Sequence, residues 1–220
     1  MRGTVSEIQI PAGPVMLEGE LSIPPAARGL VLFAHGSGSS RHSPRNQFVA
    51  QAFQNAGLGT LLFDLLTKAE EEEDFYTGHL RFDIGLLAQR LIYAVRAMEQ
   101  EPEAEHLNFG LFGASTGGGA AIVAAAELGE NVRAIVSRGG RPDLAGKALH
   151  AITAATLLIV GGEDTLVIRL NEQAMRALHC TKALRIISGA GHLFEEPGAL
   201  DAVADQAAEW FLEFLPGEAS

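Results

Sequence analysis

The chain has 220 residues, 47% of them hydrophobic and 20% charged, enough apolar material for one well-buried core and too short for two. The 16 Lys and Arg against 27 Asp and Glu give a net charge of −11, which argues against a nucleic-acid partner. A single cysteine, Cys180, rules out an intrachain disulfide, and no stretch has the length or apolarity of a leader or a membrane span. A cytoplasmic protein with no membrane partner is therefore expected.

Ser6, Ile8 and Ile10 alternate with their neighbours before the turn residues Pro11, Ala12, Gly13 and Pro14. Val15, Leu17, Gly19, Leu21 and Ile23 then alternate with Met16, Glu18, Glu20 and Ser22. A period of two on both sides of a turn predicts an antiparallel hairpin. Beyond it come short unbroken apolar runs at 30–34, 58–63, 107–112, 132–136, 157–160 and 183–187. Runs without alternation are those of parallel strands buried between two helix layers.

Helical segments are expected between these runs, at 44–56, 80–99, 116–128, 143–148, 165–178 and 198–215. Leu80, Ile84, Leu87, Leu91, Val95 and Met98 share one helical face, as do Leu200, Val203, Ala207, Trp210, Phe211 and Phe214. Both stripes read as core. Strands alternating with helices predict an α/β class, a doubly wound sheet with right-handed crossovers, in one domain over 1–220. The acidic run Glu70-Glu71-Glu72-Glu73-Asp74 reads as a solvated loop or a helix start, since five adjacent side chains cannot converge on one ion. Among seven histidines no pair has zinc-site spacing, so neither a metal nor a cofactor is expected.

The segment Gly113-Ala114-Ser115-Thr116-Gly117 follows an apolar run and opens an Ala-rich helical stretch. A serine on so sharp a strand-to-helix turn presents its hydroxyl at the sheet edge, and its neighbours must be small. A hydroxyl becomes a useful nucleophile when a base takes its proton and a third group orients that base. Catalytic groups of parallel sheets gather beyond the carboxyl ends of the strands. Asp164, after Gly161-Gly162-Glu163, and His192, within Gly189-Ala190-Gly191-His192, follow two later strands. Ser115 could instead serve as a helix N-cap. Asp143 and Glu163 are rival acids, and His35 is a rival base at the end of an earlier strand. Asp164 and His192 are favoured by their positions. For the oxyanion of acyl transfer, the N–H groups of Thr116 and of Ser37, in His35-Gly36-Ser37-Gly38-Ser39-Ser40, are the expected donors.

These segments together, His35 to Arg41, Gly113 to Gly117, Gly161 to Asp164 and Gly191-His192, make the chain resemble an α/β-hydrolase of the dienelactone hydrolase-like group over nearly its whole length. The resemblance implies an eight-stranded, mostly parallel sheet with helices on both faces. It also implies hydrolysis of a small ester, lactone or thioester, with Ser115 as nucleophile, His192 as base and Asp164 as orienting acid. Dienelactone hydrolases use cysteine at the elbow, whereas this chain has serine there, so the fold carries over and the dienelactone substrate does not. Only about twenty residues separate the 132–136 and 157–160 runs, which leaves no room for a lid domain.

Arg41, Arg45, Arg138 and Arg141 fall in loops on the same edge of an otherwise acidic chain. Planar guanidinium forks suit carboxylate or phosphate, so Arg41, Arg138 and Arg141 are candidates to bind an anionic acyl substrate. Ordinary solvation or ion pairing within the loops is the competing account. Two other functions compete with hydrolysis. One is a non-catalytic binding or accessory module on the same fold. The other is nucleotide binding by Gly113 to Gly119, which lacks the Gly-Lys-Ser/Thr ending of a phosphate loop.

Overall fold

The computed structural model describes residues 5–217, so the expectation about the chain's first four residues lies outside it. Strands β1 (Val5–Ala12) and β2 (Val15–Ser22) form the antiparallel hairpin, with Ile10 opposite Leu17. Strand β2 also pairs antiparallel with β4 (Gly59–Phe63). From there the sheet is parallel: β3 (Leu30–Ala34), β5 (Phe109–Ala114), β6 (Val132–Arg138), β7 (Ala155–Gly161) and β8 (Lys182–Ile187). The order is β1-β2-β4-β3-β5-β6-β7-β8. After β3 the chain goes to β4 on one side and returns to β5 on the other. The loops after β3 and β5 therefore diverge, and the crevice between them is where an open α/β sheet holds its ligand.

Helices α1 (Pro44–Asn55) and α6 (Ala199–Phe214) cover one face. There Phe33, Phe53, Phe112 and Phe211 are buried in mutual contact, with ring centroids of 5.0 Å for Phe33–Phe112 and 5.5 Å for Phe53–Phe211. Burial of each such side chain contributes about 1.5–3 kcal/mol. The opposite face carries α3 (Ile84–Met98), α4 (Thr116–Leu128) and α5 (Thr165–Ala177), packed over Leu32, Leu111, Ile135 and Leu158. Buried Ala120, Ala121, Ala124 and Ala125 let α4 lie close to the sheet.

The acidic run takes the second of its two expected forms, a helix start: it lies in α2 (Lys68–Thr77), whose N-terminus is a capping box in which Thr67 Oγ1 accepts from Glu70 N–H and Glu70 accepts from Thr67 N–H. Several other local expectations change. The expected 80–99 helix is two pieces, a 3-10 turn at Leu80–Phe82 and then α3, because Asp83 caps α3 by accepting from Leu86 N–H at 3.0 Å. The 143–148 segment is a 3-10 stretch, Pro142–His150, kinked at Gly146. Strand β8 is an edge strand with Ile186 exposed, not a strand buried on both faces. No described helix is long and apolar enough to cross a membrane.

Candidate active site

Strand β5 ends at Ala114 and α4 begins at Thr116, so a single residue turns the chain. That residue, Ser115, has φ 52° and ψ −121°, a region that costs a non-glycine residue about 1–3 kcal/mol. The strain is held on both sides: Ser115 N–H donates to the Arg138 carbonyl at 3.2 Å, and its own carbonyl accepts from Gly118 and Arg141 N–H, both at 3.0 Å. The small neighbours are required. A Cβ at Gly113 would meet the Gly117 carbonyl at 2.6 Å, and one at Gly117 would collide with the Ala34 carbonyl. Ser115 forms no side-chain cap to α4, so its hydroxyl is left for other work.

His192 Nδ1 lies 2.6 Å from Asp164 Oδ2, with the imidazole 41% and the carboxyl 16% exposed. Asp164 is the N-cap of α5, where Oδ1 also accepts from Val167 N–H at 3.4 Å. One carboxylate thus orients the ring with one oxygen and caps a helix with the other. The His192 loop rests on Gly139, which follows β6 at φ 52°; a Cβ there would lie 3.2 Å from the His192 carbonyl and 3.6 Å from its Cε1. Gly139 immediately follows Arg138, whose carbonyl holds Ser115, so the histidine and the serine share one short piece of backbone. The rival acids are elsewhere engaged: Asp143 is bidentate to Arg141 and Glu163 is exposed.

His35 ends β3 buried, with Nε2 accepting from Leu65 N–H at 3.0 Å and Nδ1 3.1 Å from the Gly36 carbonyl. Those partners require a neutral ring with its proton on Nδ1. Burial lowers its pKa from the ordinary 6.5, in keeping with that state. The ring ties the loop after β3 to the loop after β4, a structural task. Ser37 N–H, an expected oxyanion donor, points at the elbow and donates to Thr116 Oγ1 at 3.1 Å. Next to it a cavity of about 540 Å³ is lined by Gly36, Ser37, Leu65, Leu66, Phe75 and Leu87. It adjoins the elbow through Gly36, whose Cβ position would be 3.2 Å from Ser115 Cβ.

The structure separates the three candidate arginines. Arg41 is bound by Asp64 and by Glu18, the latter at 2.7 Å, and those bonds raise its pKa against the desolvation of partial burial. Arg141 is held by Asp143 at 2.8 and 2.7 Å, which raises its pKa as well. Both guanidinium groups are paired with the chain's own carboxylates, although Arg41 Nε is buried without a hydrogen bond. Arg138 is buried and has no hydrogen bond to its side chain among the described residues. Burial, with the like charge of Arg45 adding to it, pushes its guanidinium down to about 10, still charged at neutral pH. Phe194, which the sequence did not single out, adopts φ 56° and places its buried ring 5.8 Å from the Arg138 guanidinium carbon. Among the described residues no group of three or more His, Cys, Asp or Glu side chains could hold a metal ion.

Comparison with known proteins agrees with this architecture. A dienelactone hydrolase from Anabaena variabilis superposes with a TM-score of 0.96 at 58% identity, over 97% of this chain and 99% of that one. An α/β serine hydrolase without a lid, from Xanthomonas campestris, has a TM-score of 0.75 at 17% identity over 98% of this chain and 97% of that one, a likeness of fold alone. Two Mycobacterium tuberculosis proteins named "Putative phosphoribosyl transferase" are 53% identical over 96% of this chain, which spans 47% of their length. The model of the "Dienelactone hydrolase family" matches residues 22–215, and the chain belongs to that family.

Proposed function

We propose that the protein is a serine hydrolase that cleaves a small ester, lactone or thioester through an acyl-enzyme on Ser115. The observation that carries this reading is the strained Ser115 elbow beside a His192–Asp164 pair at 2.6 Å. His192 Nε2 takes the hydroxyl proton as Ser115 Oγ attacks the carbonyl carbon, and Asp164 stabilises the imidazolium that forms. The tetrahedral oxyanion is met by Thr116 N–H and by Ser37 N–H, which exchanges the Thr116 hydroxyl for the stronger charge. Each fixed donor contributes about 3 kcal/mol to the transition state. His192 then gives its proton to the leaving alcohol or thiol, and water repeats the sequence in reverse to release the acid. The cavity, where Leu65, Leu66, Phe75 and Leu87 stand with Ser37, Arg45, Glu71 and Arg81, accepts the remainder of the substrate.

The name carried by the mycobacterial relatives belongs to chains about twice this length. We assign no transferase chemistry to this segment, because the glycines at 113 and 117 are taken up by strand–helix contact rather than a phosphate. Fluorophosphonate labelling and a panel of p-nitrophenyl esters and acyl thioesters test the proposal. Ser115→Ala should abolish labelling and lower turnover about a millionfold, since the three groups act as a unit. Undiminished turnover in that variant would falsify it and favour a binding role for the fold.

A further inference from the structure

The segment from Arg138, at the end of β6, to Arg141 holds the elbow on both sides. Its first carbonyl accepts from Ser115 N–H at 3.2 Å, and its last N–H donates to the Ser115 carbonyl at 3.0 Å. The same segment seats the His192 loop on Gly139, whose N–H donates to the Ile159 carbonyl of β7 at 2.7 Å. Against α4 it has no slack: a Cβ at Gly118 would lie 3.1 Å from Gly140 Cα, and one at Gly119 would lie 2.8 Å from the Arg141 carbonyl. On the α5 side it is met by Asn171. That residue is fully buried, and its Nδ2 donates to the Gly140 carbonyl at 3.0 Å and to the Val167 carbonyl at 2.8 Å. Turned the other way, the amide would set its oxygen against two carbonyl oxygens, so its orientation follows from its partners.

Packing of α5 alone does not call for an amide here. The buried residues of that helix are Val167, Asn171 and Ala174, a stripe that is otherwise apolar. Asn171 Oδ1 is buried with no donor among the described residues, a cost that a leucine would not incur. What the amide adds is the bond across to Gly140. One helix thus holds the base through Asp164 at its start and the nucleophile's backbone through Asn171 two turns on. We propose that Asn171 is a positioning residue: through the Gly140 carbonyl it fixes the Arg138–Arg141 segment to α5, and so keeps Ser115 aligned with His192. This rests on the hydrolase reading above. A carbonyl freed at Gly140 lets the segment shift, and small displacements between nucleophile and base slow attack without weakening substrate binding.

The test uses Asn171→Leu, which keeps the volume and removes both donors, and Asn171→Thr, whose hydroxyl can still bond the Val167 carbonyl one turn back but does not reach Gly140. Hydrolysis of p-nitrophenyl acetate and the rate of fluorophosphonate labelling should both fall about 10- to 100-fold in kcat or labelling rate, with KM within about twofold of wild type. The pH–rate profile should keep its acid limb, because the Asp164–His192 pair is untouched. Amide hydrogen exchange gives a readout that needs no turnover. Exchange at Ser115 and Arg141 should rise about tenfold or more beyond any change at Leu111, in the middle of β5. A uniform rise along the sheet, or a variant with wild-type kcat, overturns the proposal and leaves Asn171 a packing residue. If wild type neither hydrolyses esters nor labels, the hydrolase reading has failed and exchange decides for the clamp alone: a selective rise at Ser115 and Arg141 supports it, and a uniform one overturns it. Should Asn171→Leu not fold, Asn171→Thr carries the same expectations.

Discussion

The backbone N–H of Ser37 donates to the side-chain hydroxyl of Thr116 at 3.1 Å, joining the loop after β3 to the residue that follows Ser115. Both residues are the proposed oxyanion donors, so each helps to hold the other in place. Thr116 is buried, and Val has nearly its shape without an acceptor. Thr116→Val should leave Ser37 N–H unpaired and its loop less fixed. The expected result is a roughly tenfold loss of kcat with little change in KM, as for a donor misplaced rather than removed. Stability should fall by about 1 kcal/mol in urea titration. Thr116→Ser, which keeps the hydroxyl, should restore most of the rate. A Thr116→Val enzyme with wild-type kcat would show that the bond does not serve catalysis.

Asp164 has two duties that one substitution can separate. Its Oδ2 orients His192 at 2.6 Å, and its Oδ1 caps α5. Asn caps helices about as well as Asp, so Asp164→Asn should change the melting temperature little. Asn cannot stabilise the imidazolium and can hold the ring in the wrong tautomer, for which a loss near 10⁴ in kcat is the order expected of such triads. Asp164→Ala should lose both activity and about 1 kcal/mol of stability. Comparable activity in Asp164→Asn and wild type would return the role of orienting acid to another residue.

Much of the site can be read along the chain because its parts are local. Ser115 between two glycines, after an apolar run and before an alanine-rich stretch, carries its own geometry. Asp164 and His192 lie just beyond apolar runs, and the parallel sheet carries those run ends to one edge. The state of the arginines is a tertiary property. Arg41 is quenched by Glu18 and Asp64, each 23 residues away, and nothing in the spacing distinguishes it from Arg138. Phe194 was invisible because its importance comes from a left-handed φ that no single-residue preference announces. Helix α2 is a different case. Its Thr67-x-x-Glu70 signature was present in the sequence, but the acidic run beyond it, with only Asp74 buried, shows no apolar stripe to mark a helix.

Two of the three candidate arginines, Arg41 and Arg141, make a control for the charge of the site. Arg141 is a partly exposed partner of Asp143, and such pairs contribute no more than about 1 kcal/mol. Arg141→Gln should therefore leave the ratio of anionic to neutral ester hydrolysis unchanged and alter stability only slightly. Arg41 is less exposed and faces Glu18, Glu20 and Asp64 together. Arg41→Gln removes the cation from three carboxylates, so it should cost more stability than Arg141→Gln while also leaving that ratio unchanged. Chemical denaturation and a panel of anionic and neutral p-nitrophenyl esters measure both effects. A shift in the ratio with either variant would bring that arginine back to the substrate.

His35 gives stability a dependence on pH. In the folded protein the ring is held neutral, since Nε2 accepts from Leu65 N–H and burial lowers the pKa from 6.5. In the unfolded chain the ring protonates as the pH falls through its ordinary value, so the unfolded state binds more protons. The stabilisation is therefore fully present above about pH 6.5 and declines as the pH falls from there toward the lowered folded value. The melting temperature should drop between pH 7.5 and 5.5, above the range in which most carboxylates titrate. His35→Gln keeps an acceptor for Leu65 N–H without a titrating group and should show a flatter profile over that interval, at the cost of some packing. Parallel profiles for the two proteins would place the pH dependence in other groups.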